Sequence, residues 1–351
     1  MKWEKLPQSG QAPSARSSHT LNFVEDGKLF VFGGEHDPRH PVSNDVYEYS
    51  IDKGEWMKHS LPNAPSPRLA HTAVTVGTHI YIFGGRSGVE MGEGAMNDLF
   101  SLDTKSHTWQ AIQPATDAVP PKRSYHAACG SVHGGRQYVW IFGGCGEQGK
   151  GRLNDLWCFD VEARTWSAAP VHEPIQGRGG ASLVASNDGS KIFVVGGFCG
   201  HELGDMYEYD VAARTWREVP PSGLPARSVF GAATHACAAT GAQCGHAGHV
   251  VVFGGEVDPS NLGHEGAGDF AGDVWCWGEG QGWHKVTTES EGAPCARGWY
   301  ASTHITTGKT HEHACNHAHA HAHACVGLVV HGGLDCKNER LDDMYLLCMH
   351  G

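Results

Sequence analysis

A glycine pair preceded by a short β-forming apolar run recurs six times in this chain. The copies are Leu29-Phe-Val-Phe-Gly33-Gly34, Ile80-Tyr-Ile-Phe-Gly84-Gly85, Val139-Trp-Ile-Phe-Gly143-Gly144, Ile192-Phe-Val-Val-Gly196-Gly197, Val250-Val-Val-Phe-Gly254-Gly255 and Leu328-Val-Val-His-Gly332-Gly333. Successive pairs lie 51, 59, 53, 58 and 78 residues apart. A period near fifty residues marks a repeated four-stranded unit, and such units must stack to bury their apolar faces. The 351 residues therefore read as one array rather than as the two or three domains that length alone would allow.

Each unit repeats one order of events. An arginine opens it, as in Arg16-Ser-Ser-His19, Arg68-Leu-Ala-His71, Arg123-Ser-Tyr-His126, Arg178-Gly-Gly-Ala181, Arg227-Ser-Val-Phe230 and Arg297-Gly-Trp-Tyr300. A first strand, a hairpin turn and the apolar second strand follow. The glycines allow φ > 0 and a close backbone approach at the exit of that strand. After a variable loop comes a third strand with two distinct faces, such as Asn44-Asp-Val-Tyr-Glu-Tyr49 or Asn154-Asp-Leu-Trp-Cys-Phe159, and its alternation is that of a strand. A fourth strand carries Trp56, Trp109, Trp166, Trp216 or Trp283, which are expected to fill the space between units.

The last unit ends at Leu341-Asp-Asp-Met-Tyr-Leu-Leu347, a third strand, and has no tryptophan-bearing fourth. The chain begins with Trp3-Glu-Lys-Leu-Pro7, which reads as an orphan fourth strand. Joining the two ends in one blade removes the open edges of an unclosed sheet. The expectation is an all-β, six-bladed propeller over residues 1–351, its last blade closed by the N-terminal strand.

Composition narrows the function. A formal net charge of −12 argues against a broad nucleic-acid surface, and no segment approaches the ~18 apolar residues of a membrane span. The N-terminal residues carry no apolar signal region. With that start, the twelve cysteines read as a reduced thiol set in the cytoplasm or nucleus. There is no His-Glu-x-x-His helix and no Gly-x-Ser-x-Gly elbow. Gly308-Lys-Thr310 lacks the first glycine of a phosphate loop, since Thr303 stands there.

In such a blade the loop after the glycine pair and the start of the first strand share one face, the default place for a site. That face collects Glu35, Arg86, Arg152, the segment around Trp299, and the stretch Glu256-Val-Asp258-Pro-Ser260-Asn-Leu-Gly-His264-Glu-Gly-Ala-Gly268. Carboxylates with an imidazole suit Fe(II), Mn(II) or Zn(II), which makes Glu256, Asp258 and His264 candidate ligands. Two readings apply to Arg16, Arg68, Arg123, Arg227 and Arg297. Either they make the channel mouth cationic, or they hold blade-to-blade carbonyls and the acids of the repeat.

The repeat resembles the kelch motif over essentially the whole chain. The stretch Gly254-Gly-Glu256 with His264-Glu-Gly-Ala-Gly268 further resembles the plant specifier proteins of glucosinolate breakdown and their close kelch relatives. Arg123-Ser-Tyr-His126, Lys150-Gly-Arg-Leu-Asn154, Gly200-His-Glu-Leu-Gly-Asp205, Arg227-Ser-Val-Phe230, Arg297-Gly-Trp299 and Asn338-Glu-Arg-Leu-Asp-Asp343 follow in the same order. The resemblance implies an iron(II) site in the loop, built in that family as Glu-x3-Asp-x3-His. Glu256 and His264 match its ends, and Ser260 stands where the family has Asp, with Asp258 a substitute two residues from Glu256. It also implies that Arg86 and Arg152 hold the sulfate of a thiohydroximate O-sulfate and that Trp299 walls the pocket. The family often has Lys where Asp37 stands. The implied activity is an Fe(II)-dependent, lyase-type diversion of glucosinolate aglucones to nitriles or related products. The alternative is a non-catalytic kelch scaffold that binds a protein or peptide at the loop face.

The excess in the last spacing comes from an insertion at 310–325, which holds six histidines and two cysteines. Its histidines at 311–323 are borderline ligands suited to Zn(II) or Ni(II). The neighbouring turn carries His235, Cys237, Cys244, His246 and His249, so the two turns read as one metal-binding patch on the face opposite Glu256.

Overall fold

The computed structural model describes residues 1–90, 92–220, 223–236, 247–259, 268–289, 292–307 and 325–349. Residues 310–324 of the histidine-rich insertion, Cys237, Cys244 and His246 of the neighbouring turn, Ser260 and His264 lie outside these residues. The described residues form six blade sheets around one axis, with a separate two-stranded ribbon of Glu256–Asp258 and Asp269–Phe270. Blade one comprises Thr20–Val24, Lys28–Phe32, Val46–Ser50 and Glu55–His59, and blade two Thr72–Val76, His79–Phe83, Leu99–Asp103 and Thr108–Ile112. Blade three holds Ala127–His133, Arg136–Gly146, Arg152–Asp160 and Thr165–Ala168, and blade four Ser182–Ala185, Lys191–Phe198, Glu202–Asp210 and Thr215–Val219. Gly231–Ala236, Ala247–Phe253, Val274–Gly278 and Gly282–Val286 make blade five. Blade six is Ala301–Thr307, Cys325–Asp335 and Arg340–Cys348, completed by Lys2–Lys5 from the other end of the chain.

That closure is as the sequence predicts. Trp3 pairs with Leu347 and Lys5 with Tyr345, antiparallel. Ser9–Gly10 then runs parallel to the outer strand of blade one, so the segment linking the closing strand to the first blade covers an edge.

The second strands are continuous apolar runs because both of their faces are buried. Leu29, Phe30, Val31 and Phe32 are all at most 4% exposed. The residue before each glycine pair meets the fourth-strand tryptophan of the next blade. Phe32 meets Trp109 at 5.3 Å, Phe83 meets Trp166 at 5.2 Å, and Phe142 meets Trp216 at 6.3 Å. The series crosses the chain ends without a break: Phe253 meets Trp3 at 4.7 Å, and His331 meets Trp56 at 5.6 Å. Trp3 thus does in blade six what Trp109 does in blade two. These tilted and edge-to-face pairs add ~0.5–1.5 kcal/mol each beyond the area they bury.

The glycine pairs join the blades. The second glycine of each donates its N–H to the carbonyl of the next blade's opening arginine, at 2.8–3.0 Å, and Gly333 closes the circle on Arg16 at 2.9 Å. Gly332 has φ 65, and a Cβ there would stand 2.7 Å from the Arg16 carbonyl oxygen. Any side chain would push the last blade away from the first.

Candidate functional site

A second ring of hydrogen bonds lies on the axis. The residue two positions after each opening arginine (Ser18, Ala70, Tyr125, Gly180, Val229, Trp299) has a left-handed backbone, φ 49–61. Its N–H donates to the carbonyl of its counterpart in the preceding blade, at 2.7–3.0 Å, and Ser18 closes the ring on Trp299. Five of the six are not glycine, so closure holds them in a region that L-residues rarely occupy. Tyr125 and Trp299, from opposite blades, meet edge to face at 5.6 Å and 83°. They form part of the lining of a cavity of about 320 Å³ on the loop face.

The walls of that cavity come from the loops after the glycine pairs and from the third strands. Glu35, Cys145, Phe198, Glu256 and Leu334, each the residue following a glycine pair, line it. Arg152 and Arg340 also line it. They occupy equivalent places in opposite blades, since Arg152 pairs across its sheet with Cys145 and Arg340 with Leu334. The Arg152 guanidinium lies 4.7 Å from the centre of the Phe198 ring. The Arg340 Nε is buried without a hydrogen-bond partner. Among the described residues neither guanidinium has a carboxylate partner.

The acidic side is more tightly held. Glu35 accepts hydrogen bonds from Ser17 Oγ at 3.3 Å, Ser18 Oγ at 3.1 Å and the Arg39 amide. Behind Ser228, Glu202 accepts from its hydroxyl at 3.3 Å. Burial first, and the nearby Asp258 as well, push the Glu202 carboxyl above its usual range. Burial raises the Cys145 thiol despite the neighbouring Arg152 and Arg86, so it stays protonated at neutral pH and is a poor nucleophile.

The opening arginines hold carbonyls and the acids of the repeat, as in the second of their two readings, but the carbonyls belong to their own blade rather than to a neighbour. All six are at most 1% exposed, and each donates Nη1 to the carbonyl of the first glycine in its own blade, at 2.9–3.1 Å. Arg68, Arg123, Arg178, Arg227 and Arg297 also pair with Asp98, Asp155, Asp205, Asp273 and Asp343. Their charge is neutralised inside the blades, and the mouth owes nothing to it. Arg16 differs: its guanidinium lies 5.0 Å from the centre of the Tyr47 ring, while the repeat acid of that blade, Asp45, pairs with Lys58 at 2.8 Å.

The structure brings Arg152, Trp299 and Glu256 together around the cavity. It turns the Arg86 guanidinium to its own loop, where Nε donates to the Gly88 carbonyl at 3.0 Å and Nη2 donates to that carbonyl at 2.6 Å and to the Glu90 carbonyl at 2.5 Å. Asp258 is exposed, and its neighbour Pro259 lines the cavity instead. For a metal, the wall offers the Glu256 carboxylate. Gly268 packs so closely that a Cβ there would stand 2.4 Å from its Oε1, so any side chain at 268 would collide with that carboxylate. Arg340 was not singled out by sequence reasoning. Its signal was nonetheless present, because Arg340-Leu-Asp-Asp343 repeats the phase of Arg152-Leu-Asn-Asp155.

Three comparisons place this arrangement among known proteins. An N-(sulfonatooxy)prop-2-enimidothioate sulfolyase from Thlaspi arvense is 28% identical over 99% of this chain and 97% of its own length. The Rab9 effector protein with kelch motifs from Bos taurus is 30% identical over 58% of this chain, and host cell factor from Drosophila melanogaster is 29% identical over 56%. The chain matches about half of the former's length and 14% of the latter's. The solved structure of YjhT superposes with a TM-score of 0.67, at 18% identity, over 97% of this chain and 96% of that one, a likeness of fold. The model of the KLHDC2/KLHL20/DRC7 Kelch-repeats domain matches residues 28–255, and with six glycine-pair blades closed in a ring the chain belongs to the kelch-repeat family.

Proposed function

We propose that the cavity binds a small sulfated anion and that the protein promotes loss of its sulfate, diverting glucosinolate aglucones toward nitriles or related products. One observation carries this reading: Arg152 and Arg340 line one cavity from opposite blades with no carboxylate partner among the described residues. The opening arginines of blades two to six all have one. The substrate in the name of the Thlaspi arvense relative carries a sulfate ester and a thiolate, two negative charges for two guanidinium groups. Planar guanidinium suits a sulfate oxyanion, and the charge that grows on departing sulfate is stabilised most where water is excluded. Phe198, Trp299 and Tyr125 supply apolar surface for the rest of the molecule. The Cys145 thiol, held protonated by burial, takes no part as a nucleophile. An iron(II) would be held by Glu256 and His264, with Ser260 or Asp258 as a further oxygen donor. It would supply Lewis-acid or electron-reservoir chemistry at sulfur.

The test is product analysis with allyl glucosinolate, myrosinase and Fe(II). The protein is expected to divert product from isothiocyanate to nitrile or thiocyanate, and R152Q/R340Q to lose roughly 100–10,000-fold of that diversion, the size of two lost charge-assisted contacts. A wild-type protein that leaves the product mixture unchanged overturns the reading. The kelch relatives matched over half of this chain, one named as a Rab9 effector, favour a second reading, a protein or peptide seated on the loop face. It predicts a partner whose binding survives R152Q/R340Q.

A further inference from the structure

Away from the cavity, at the junction of blades one and two, three ligand-type side chains converge. Glu48 lies on the third strand of blade one and His59 at the end of its fourth. His107 stands in the turn before the fourth strand of blade two. Both imidazoles present Nε2 to the same carboxylate oxygen: His59 Nε2 is 3.1 Å and His107 Nε2 2.7 Å from Glu48 Oε2. The two rings are stacked at 4.3 Å and 26°. All three ligand atoms lie within 4.8 Å of one another. Among the described residues no other group of three His, Cys, Asp or Glu side chains meets that condition.

We propose that Glu48, His59 and His107 form a divalent transition-metal site, best suited to Zn(II), that staples blade one to blade two. Bonds of ~2.0–2.1 Å in tetrahedral geometry place ligand atoms about 3.3 Å apart, and the two nitrogens, at 3.1 Å and 2.7 Å from the Glu48 oxygen, stand close to that spacing. Two imidazoles and one carboxylate leave a fourth position for water. The other carboxylate oxygen already has its outer partner, because Lys28 Nζ donates to Oε1 at 2.8 Å. Such a bond fixes the carboxylate's orientation and frees Oε2 for the ion. Asp26, 3.9 Å from the Lys28 ammonium, offsets part of that charge.

The repeat provides internal controls. The residue two before the fourth-strand tryptophan is Arg164 in blade three and Arg214 in blade four, and each donates to a carbonyl of the preceding blade, of Gln113 at 3.1 Å and Ala168 at 2.9 Å. His107 holds that place in blade two and reaches a carboxylate instead. In blade four the counterpart of Glu48 is Glu208, which sits among Lys191 and Arg217. Among the described residues, two metal-capable nitrogens are gathered at this position only in blade one.

The test compares full-length wild type with H107G and with E48Q. Glycine fills the same turn position in blade one, at Gly54 with φ 64, and His107 has φ 52, so H107G keeps the turn. After equilibration with excess zinc and removal of unbound metal by buffer exchange, zinc is measured per chain, and melting is followed with and without zinc. The histidine-rich insertion is common to all three proteins and cancels in the difference. The expected result is one zinc fewer per chain in each variant, with loss of the zinc-induced rise in Tm. Equal zinc content and equal Tm shifts in all three would overturn the proposal. An anomalous difference map at the zinc edge is the independent check: a peak between the three side chains supports the site, and peaks only elsewhere refute it.

Discussion

Replacing Trp3 by Ala tests the closure of the ring at its seam. Trp3 is 2% exposed and packs edge to face on Phe253 at 4.7 Å and 62°, on a strand whose four residues all pair with Tyr345 to Cys348. Truncating a fully buried tryptophan costs about 3–5 kcal/mol, since the cavity it leaves closes only in part. The aromatic contact contributes ~0.5–1.5 kcal/mol of that interaction. Trp109, 7% exposed and 5.3 Å from Phe32, is the yardstick inside a blade made from continuous chain. Urea unfolding followed by far-ultraviolet circular dichroism should show W3A and W109A destabilised to a similar extent. K5A, an exposed position on the same strand, should stay within about 0.5 kcal/mol of wild type. A W3A loss below about 1 kcal/mol beside a full W109A loss would mean that the N-terminal strand decorates blade six rather than closing it.

Two more tests separate framework from site. R123Q removes a fully buried guanidinium from the half-buried Asp155 and from the Gly143 carbonyl and should cost about 3–5 kcal/mol by breaking that ion pair from one side. R152Q should stay within about 1 kcal/mol, and the two unfolding midpoints read side by side check the contrast. A third concerns pH. Burial, and then Arg68, hold His71 down to about 3, so the unfolded chain takes up a proton below pH ~6.5 that the folded chain refuses. Stability from this group is complete above that pH and falls as pH drops toward 3, by up to ~1.4 kcal/mol per pH unit. H71F, with the residue that blade five uses at Phe230, should flatten the pH dependence of unfolding over that window, and an unchanged slope would show that His71 titrates freely.

Much of this molecule could be read along the chain because its units repeat. The spacing of the glycine pairs fixed blade number, and the alternation around Asn44 and Asn154 marked third strands. The missing last tryptophan pointed to Trp3. Each of these is a local signal, since strand period, turn chemistry and burial on both faces are written into consecutive residues. The phase of the repeat also held Arg340 in plain view beside Arg152, although it takes the sheet register to show that the two occupy equivalent places in opposite blades.

What the chain alone left open concerns partners. Sequence set Arg86 and Arg123 side by side as cationic candidates. Folding gave Arg123 to Asp155, turned Arg86 to its own loop, and left Arg152 and Arg340 to the cavity. Glu48, His59 and His107 lie in different turns and strands and become neighbours only when blade two packs on blade one. A charged side chain acts according to what lies within a few ångströms of it, and in a ring of blades those neighbours belong to distant parts of the chain. Sequence therefore determined the architecture of this kelch propeller, and the tertiary structure decided which of its charges are framework and which line the cavity.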